Sequence, residues 1–200
     1  RSFSGKDSRP RRGPRPPVMT RLVGTRGPVS RAATAGGAVV MVPDAADGPA
    51  FAVIRPQSIA LATDVGARVI AISRRDESLD LARRFGAAET VPMHDHWAII
   101  DEVKRLTGEV MCERVIEAVG KQWPLDLAAE LTCERGRLVI AGYHQDGPRQ
   151  VNMQMWNWKG IDIASAHERD AAVRVAGLRA AVDALAQGRL DLGPLLTGSY

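Results

Sequence analysis

The sequence predicts an α/β protein: a doubly wound, mainly parallel sheet with helices on both faces. Short β-branched apolar runs alternate with amphipathic stretches of helix length from about residue 38 to residue 187. The helical stretches end on glycine (Gly86, Gly108, Gly136, Gly188), the residue that lets the chain turn back after a helix. The strand runs are apolar at successive positions, as expected of strands covered from both sides.

The elements follow in order. Residues 1–36 are rich in Arg, Pro, Gly, Ser and Ala and lack apolar periodicity, so they are read as a disordered basic tail. The folded domain is expected over 37–200. Ala38 to Val42 is a candidate first strand, and Ser58 to Val65 a candidate helix. Arg68 to Ile72 is a strand, followed by a helix from Asp76 to Phe85. Glu89 to Pro92 is a short third strand. Asp95 to Leu106 carries the stripe Trp97, Ile99, Ile100, Val103 and Leu106. Arg114 to Val119 is a strand, and Pro124 marks the start of the next helix. Arg137 to Ala141 and Ile161 to Ala164 are further strands. A last helix from about Glu168 to Gln187 places Val175, Leu178, Val182 and Leu185 on one face, with Gly188 following it.

Charge is divided unevenly. Residues 1–33 hold nine Lys/Arg and one acid, a local net of +8, so residues 34–200 carry −4 against the chain's +4. The high isoelectric point belongs to the tail, and no nucleic-acid-reading motif accompanies it. No run of 18 apolar residues is present, so no membrane span is expected. Two cysteines, Cys112 and Cys133, form neither a Cys-x-x-Cys pair nor a disulfide framework, which fits a cytoplasmic protein. His94 and His96 bracket Asp95, but histidines two apart on a helix do not converge on a metal. That segment is read as a helix-capping loop, and no metal or catalytic residue is assigned. His144 is read as a surface-loop histidine. Trp156 and Trp158 either fill the core or flank an edge strand.

The second strand ends on Ser73, Arg74 and Arg75. In a doubly wound sheet this tip meets the adenosine ribose of a dinucleotide. An acid there accepts from the ribose 2′-OH; a hydroxyl and two guanidinium groups suit a 2′-phosphate, which favours NADP over NAD.

Five segments, in order, resemble the nucleotide-binding domain of the medium-chain dehydrogenase/reductase superfamily, the zinc-type alcohol and polyol dehydrogenases. They are G-A-R-V-I-A-I-S-R-R (66–75), L-A-R-R-F-G-A-A-E-T-V (81–91), R-V-I-E-A-V-G (114–120), G-R-L-V-I-A-G-Y (136–143) and G-R-L-D-L-G-P-L-L-T (188–197). The resemblance runs from about residue 62 to 200. It implies a Rossmann-like fold and hydride transfer between NAD(P) and an alcohol or carbonyl substrate. It places Ser73, Arg74 and Arg75 at the adenosine ribose. It places Ala118, Val119 and Gly120 at the strand end that backs the cofactor ribose, and Ala141, Gly142 and Tyr143 at the strand end beside the nicotinamide. Residues 48–53 (Gly-Pro-Ala-Phe-Ala-Val) stand where the family carries its Gly-x-Gly-x-x-Gly turn and keep one of the three glycines, so the N-terminal half of the sheet is expected to be the less complete one. The zinc-bearing catalytic domain has no counterpart here, so the chain reads as a fragment that positions cofactor and is inactive alone. The resemblance also implies a homodimer through the edge strand. Two other readings share the sheet: a non-catalytic binding module and an S-adenosylmethionine-dependent methyltransferase.

Overall fold

In a computed structural model of the chain, the described residues are 37–41 and 56–195. Strands and helices alternate: β1 (Gly37–Met41), α1 (Pro56–Asp64), β2 (Arg68–Ser73), α2 (Asp76–Arg84), β3 (Glu89–Pro92), α3 (His96–Thr107), β4 (Cys112–Glu117), α4 (Gln122–Leu131), β5 (Thr132–Ile140), α5 (Met153–Lys159), β6 (Asp162–Ser165) and α6 (Ala171–Ala186), closed by a 3-10 turn at Gly193–Leu195. The basic tail read over 1–36 and the turn at 48–53 lie outside the described residues.

The strands form one sheet in the order β3-β2-β1-β4-β5-β6, with every neighbouring pair parallel. This is the doubly wound order, with β1 at the centre and a reversal of winding between β1 and β4. Two apolar clusters cover the two faces. Val69 and Ala71 of β2 join Ile59, Ala82 and Phe85 under α1 and α2. Ile70 and Ile72 join Val91, Ile99, Val103, Val115, Leu127 and Leu138 under α3, α4 and α5. Alternate residues of β2 therefore enter opposite cores, which is why its sequence shows no polar alternation. Each fully buried Ile or Leu contributes about 1.5–3 kcal/mol.

The local chemistry explains the boundaries. Asp95 caps α3, its Oδ1 accepting from Ala98 N at 2.8 Å, and Gly108 closes that helix in the left-handed region. Asp170 caps α6. β5 pairs first through Thr132 with Cys112 and then, after a bulge, through Arg137 with Arg114. The turn expected around Gly136 is that bulge.

One alternative is resolved and two expectations are corrected. First, residues 153–159, given no element above, form a helix, capped by Asn152 and closed by Gly160 at φ +61. It separates the two tryptophans: Trp156 is buried in the core, while Trp158 is 83% exposed. Second, the stripe of α6 is exposed, Leu178 to 66%, and Ala184 is the buried residue of that helix. Alanines fill the helix's other sides, so its apolar spacing does not single out the packed face. Third, Trp97 points out from α3 while Ile99, Ile100 and Val103 point in.

Lys159, the last residue of α5, secures α5 to α4. Its Nζ donates to the carbonyls of Glu130 at 2.7 Å, Thr132 at 2.9 Å and Ala129 at 3.3 Å. These include orphan acceptors at the α4 C-terminus, where a cation is also favoured by the helix dipole. Burial lowers the ammonium pKa below its ordinary value.

Candidate functional site at the carboxyl edge of the sheet

In a doubly wound sheet the reversal of winding, here between β1 and β4, puts the ligand-binding edge at the carboxyl ends of the strands. Three groups of residues flank it. At the tip of β2, Ser73 is fully buried, and by the pleat it shares the face of Val69 and Ala71. Its Oγ has no hydrogen-bond partner. The other buried side-chain oxygen without a partner among the described residues is Gln57 Oε1, in the first turn of α1. Buried hydroxyls and amides normally find partners, so these atoms mark places where another polar group fits. Arg74 and Arg75 follow, both exposed. Arg75 is the N-cap residue of α2, where its side chain makes no capping bond.

The loops after β4 and β5 form the second and third groups. Ala118 and Gly120 are buried and Val119 is half-buried; Ala141 and Tyr143 are exposed and Gly142 is half-buried. These loops meet closely. Ala141 N and Gly142 N donate to Glu117 O at 2.7 and 2.8 Å. A Cβ on Gly142 would lie 2.3 Å from Gly120 N and 2.6 Å from Glu117 Oε2. A Cβ on Gly120, whose φ is +81, would meet Tyr143 O at 2.8 Å. Both glycines are required by the contact between the loops.

Glu117 ends β4 with a fully buried carboxylate. Its Oε1 accepts from Val119 N and Gly120 N, each at 2.7 Å, and its Oε2 lies 3.0 Å from His144 Nε2. His144 is thus not the solvated loop histidine read from the sequence. Arg149 Nε donates to His144 Nδ1 at 2.9 Å, and Arg149 Nη2 donates to Gly120 O at 2.9 Å and pairs with Asp146. Lys121 also bridges to Asp146 at 3.2 Å. Arg149 and Lys121 together hold the Asp146 carboxyl down to about 2. Neither Glu117 nor Arg149 was singled out from the sequence. The available signal was a lone carboxylate inside the apolar run R-V-I-E-A-V-G.

A separate cavity of about 470 Å³ lies between the start of α3, α4 and α5, lined by His96, Trp123, Asp126, Glu130 and Trp156 among others. There Trp123 Nε1 donates to His96 Nδ1 at 2.9 Å, and His96 Nε2 faces Glu130 at 3.3 Å. Among the described residues, no three His, Cys, Asp or Glu side chains converge as metal ligands. Cys112 is buried, which pushes its thiol up to about 12; Cys133 is partly buried and raised less. No described helix is long and apolar enough to cross a membrane.

The zinc-binding dehydrogenase family matches residues 58–186. The chain belongs to this family. It is similar to an alcohol dehydrogenase of Cupriavidus necator, with 28% identity over 163 residues; the match covers 76% of this chain and 43% of that relative. The fold also aligns with a solved NAD-dependent alcohol dehydrogenase at 28% identity and a TM-score of 0.57, covering 78% of this chain and 42% of the other. A mycobacterial protein solved with NADPH aligns at 22% identity and a TM-score of 0.60, covering 87% and 52%. The chain thus spans less than half the length of the curated relative it matches, and it corresponds to the family's nucleotide-binding domain.

Proposed function

We propose that this domain binds a nicotinamide dinucleotide across the carboxyl edge, NADP in preference to NAD, as the cofactor-positioning part of an oxidoreductase acting on alcohol or carbonyl substrates. The observation that carries the reading is the tip of β2. A buried hydroxyl without a partner stands beside two guanidinium groups at a helix start, and the last residue of β2 is Ser73 rather than an acid that would accept from a ribose 2′-OH. Ser73 then offers its hydroxyl to the ribose end, and Arg74 and Arg75 face the 2′-phosphate. Gln57 Oε1, at the N-terminal turn of α1, adds a second open acceptor. Residues 118–120 and 141–143 support the nicotinamide half. Bound there, the dinucleotide supplies hydride chemistry, while this chain's residues bind and orient it. Zinc is expected only in the catalytic domain of intact relatives and is not assigned to this site, where no metal-ligating cluster stands among the described residues. The edge strand β6, with Ile163 exposed, is offered as the surface of a homodimer. The free cysteines fit a cytoplasmic location.

The test is ligand-dependent thermal stability with NADPH, NADH and S-adenosylmethionine in turn, because a ligand that binds the native state stabilises it by mass action. NADPH is expected to give the largest shift. Arg74→Ala is expected to weaken NADPH about tenfold or more through loss of a charged hydrogen bond, and NADH far less. Equal losses for both would refute the phosphate-reading role. A response to S-adenosylmethionine alone would replace the reading with a methyltransferase.

A further inference from the structure

We propose that Glu117, His144 and Arg149 are positioning residues that lock the loops after β4 and β5 into one unit, with His144 held neutral and protonated at Nε2. The proposal rests on the cofactor reading above and adds the device that holds its nicotinamide side.

The hydrogen-bond directions fix the proton. Arg149 Nε can only donate, so His144 Nδ1 must accept. The imidazole proton then sits on Nε2, where it donates to Glu117 Oε2 at 3.0 Å. The other tautomer sets two donors against each other at Arg149 and two acceptors against each other at Glu117. A doubly protonated ring keeps the clash at Arg149. The imidazole therefore conveys the attraction between a buried carboxylate and a guanidinium without itself carrying charge.

The same three residues reach both loops. Glu117 Oε1 takes the N–H groups of Val119 and Gly120, and Arg149 Nη2 takes the Gly120 carbonyl. Both polar groups of the Gly120 backbone are thereby engaged by this network. Arg149 and His144 belong to the segment after β5, so displacing that segment releases the β4 loop as well. Lys121 and Asp146 close the arrangement at its exposed rim. Gly142 completes it, since no side chain fits beside Glu117 Oε2. A fully buried carboxylate with three donors is costly to disturb, because removing one donor leaves charge without a partner.

The experiment uses the full chain with Glu117→Gln, Arg149→Lys and Arg149→Met. Nitrogen-15 spectra of the histidines report the tautomer, amide hydrogen exchange reports the loops, and fluorescence titration reports the dissociation constants for NADPH and NADH. In the unmodified chain His144 is expected to show a protonated Nε2 and a bare Nδ1. Glu117→Gln keeps shape but directs its amide N–H₂ at the imidazole or at the loop N–H groups. It is expected to speed exchange at Val119, Gly120 and Gly142 together and to weaken both cofactors by a similar factor of about ten. Arg149→Lys keeps the charge but lacks the fork that reaches His144 and Gly120 at once, so it is expected to fall between the unmodified chain and Arg149→Met. Should Glu117→Gln fail to fold, the two Arg149 variants decide.

An Nδ1-protonated His144, or exchange that changes in one loop only, overturns the proposal. So do dissociation constants within twofold of the unmodified chain. If the unmodified chain binds neither dinucleotide, the cofactor reading falls, and with it the link to cofactor; the tautomer and the paired exchange then decide whether the lock itself stands.

Discussion

Gly142→Ala tests the contact between the two loops most directly. The added methyl would sit 2.3 Å from Gly120 N, 2.7 Å from Gly120 Cα and 2.6 Å from Glu117 Oε2. All three lie well inside van der Waals contact, and two of them are backbone atoms that cannot swing aside. Overpacking of this kind costs about 1–3 kcal/mol. Moving the β4 loop also weakens bonds to a buried carboxylate, each worth about 1.5–3 kcal/mol. The expected loss is on the order of 3 kcal/mol. In a domain of this size about 1 kcal/mol moves Tm by about 2–4 °C, so Tm should fall by roughly 6–12 °C. The comparison is Gly160→Ala, where φ is +61 but the nearest atom is the Arg135 Cγ at 4.0 Å. That variant carries only the left-handed backbone penalty of about 1–2 kcal/mol. Calorimetry on both variants, with NADPH titration, makes the measurement. If Gly142→Ala is no more harmful than Gly160→Ala and leaves affinity unchanged, the close approach is not what requires glycine there.

The two cysteines should separate in labelling at pH 8, with Cys133 reacting in the native chain and Cys112 only after denaturation, as mass spectrometry of alkylated peptides would show. Because the folded state keeps the Cys112 proton up to about 12, the unfolded chain releases it first, and this group makes stability fall as pH rises from the ordinary thiol range towards 12; a denaturation midpoint unchanged by Cys112→Ser over that range would contradict it. Trp156→Ala should cost about 3–5 kcal/mol through the cavity it leaves, whereas Trp158→Ala should stay within about 0.5 kcal/mol, both read from urea midpoints.

Much of the fold was legible because its elements announce themselves locally. A strand buried on both faces is a run of apolar residues, and β2 with Ile70 and Ile72 to one side and Val69 and Ala71 to the other is such a run. Asp95 and Gly108 bracket α3 with chemistry visible in the sequence. The short helix α5 escaped because seven residues are too few to show a period, although Asn152 and Gly160 mark its ends. For α6 the spacing of Val175, Leu178, Val182 and Leu185 was real, but spacing alone does not say which neighbour covers a face. At the candidate site, the position of Ser73 at the end of a strand was legible. Glu117 was not, because the partners that explain it, His144 and Arg149, lie far along the chain and come together only through the pairing of β4 with β5.

Of the described strands, the one at the centre of the sheet is also the first to be made. Gly37 pairs with Arg68 on one side and with Cys112 on the other. On the ribosome, β1 can join β2 as soon as that strand emerges, but its opposite margin stays bare until β4 follows. At about 5–20 residues per second that wait lasts roughly 2–9 s. During it the nascent half-sheet presents unpaired N–H and C=O groups of the kind that recruits chaperones or other growing chains. Synonymous codons that slow translation between residues 73 and 112 should therefore lower the soluble yield of this domain.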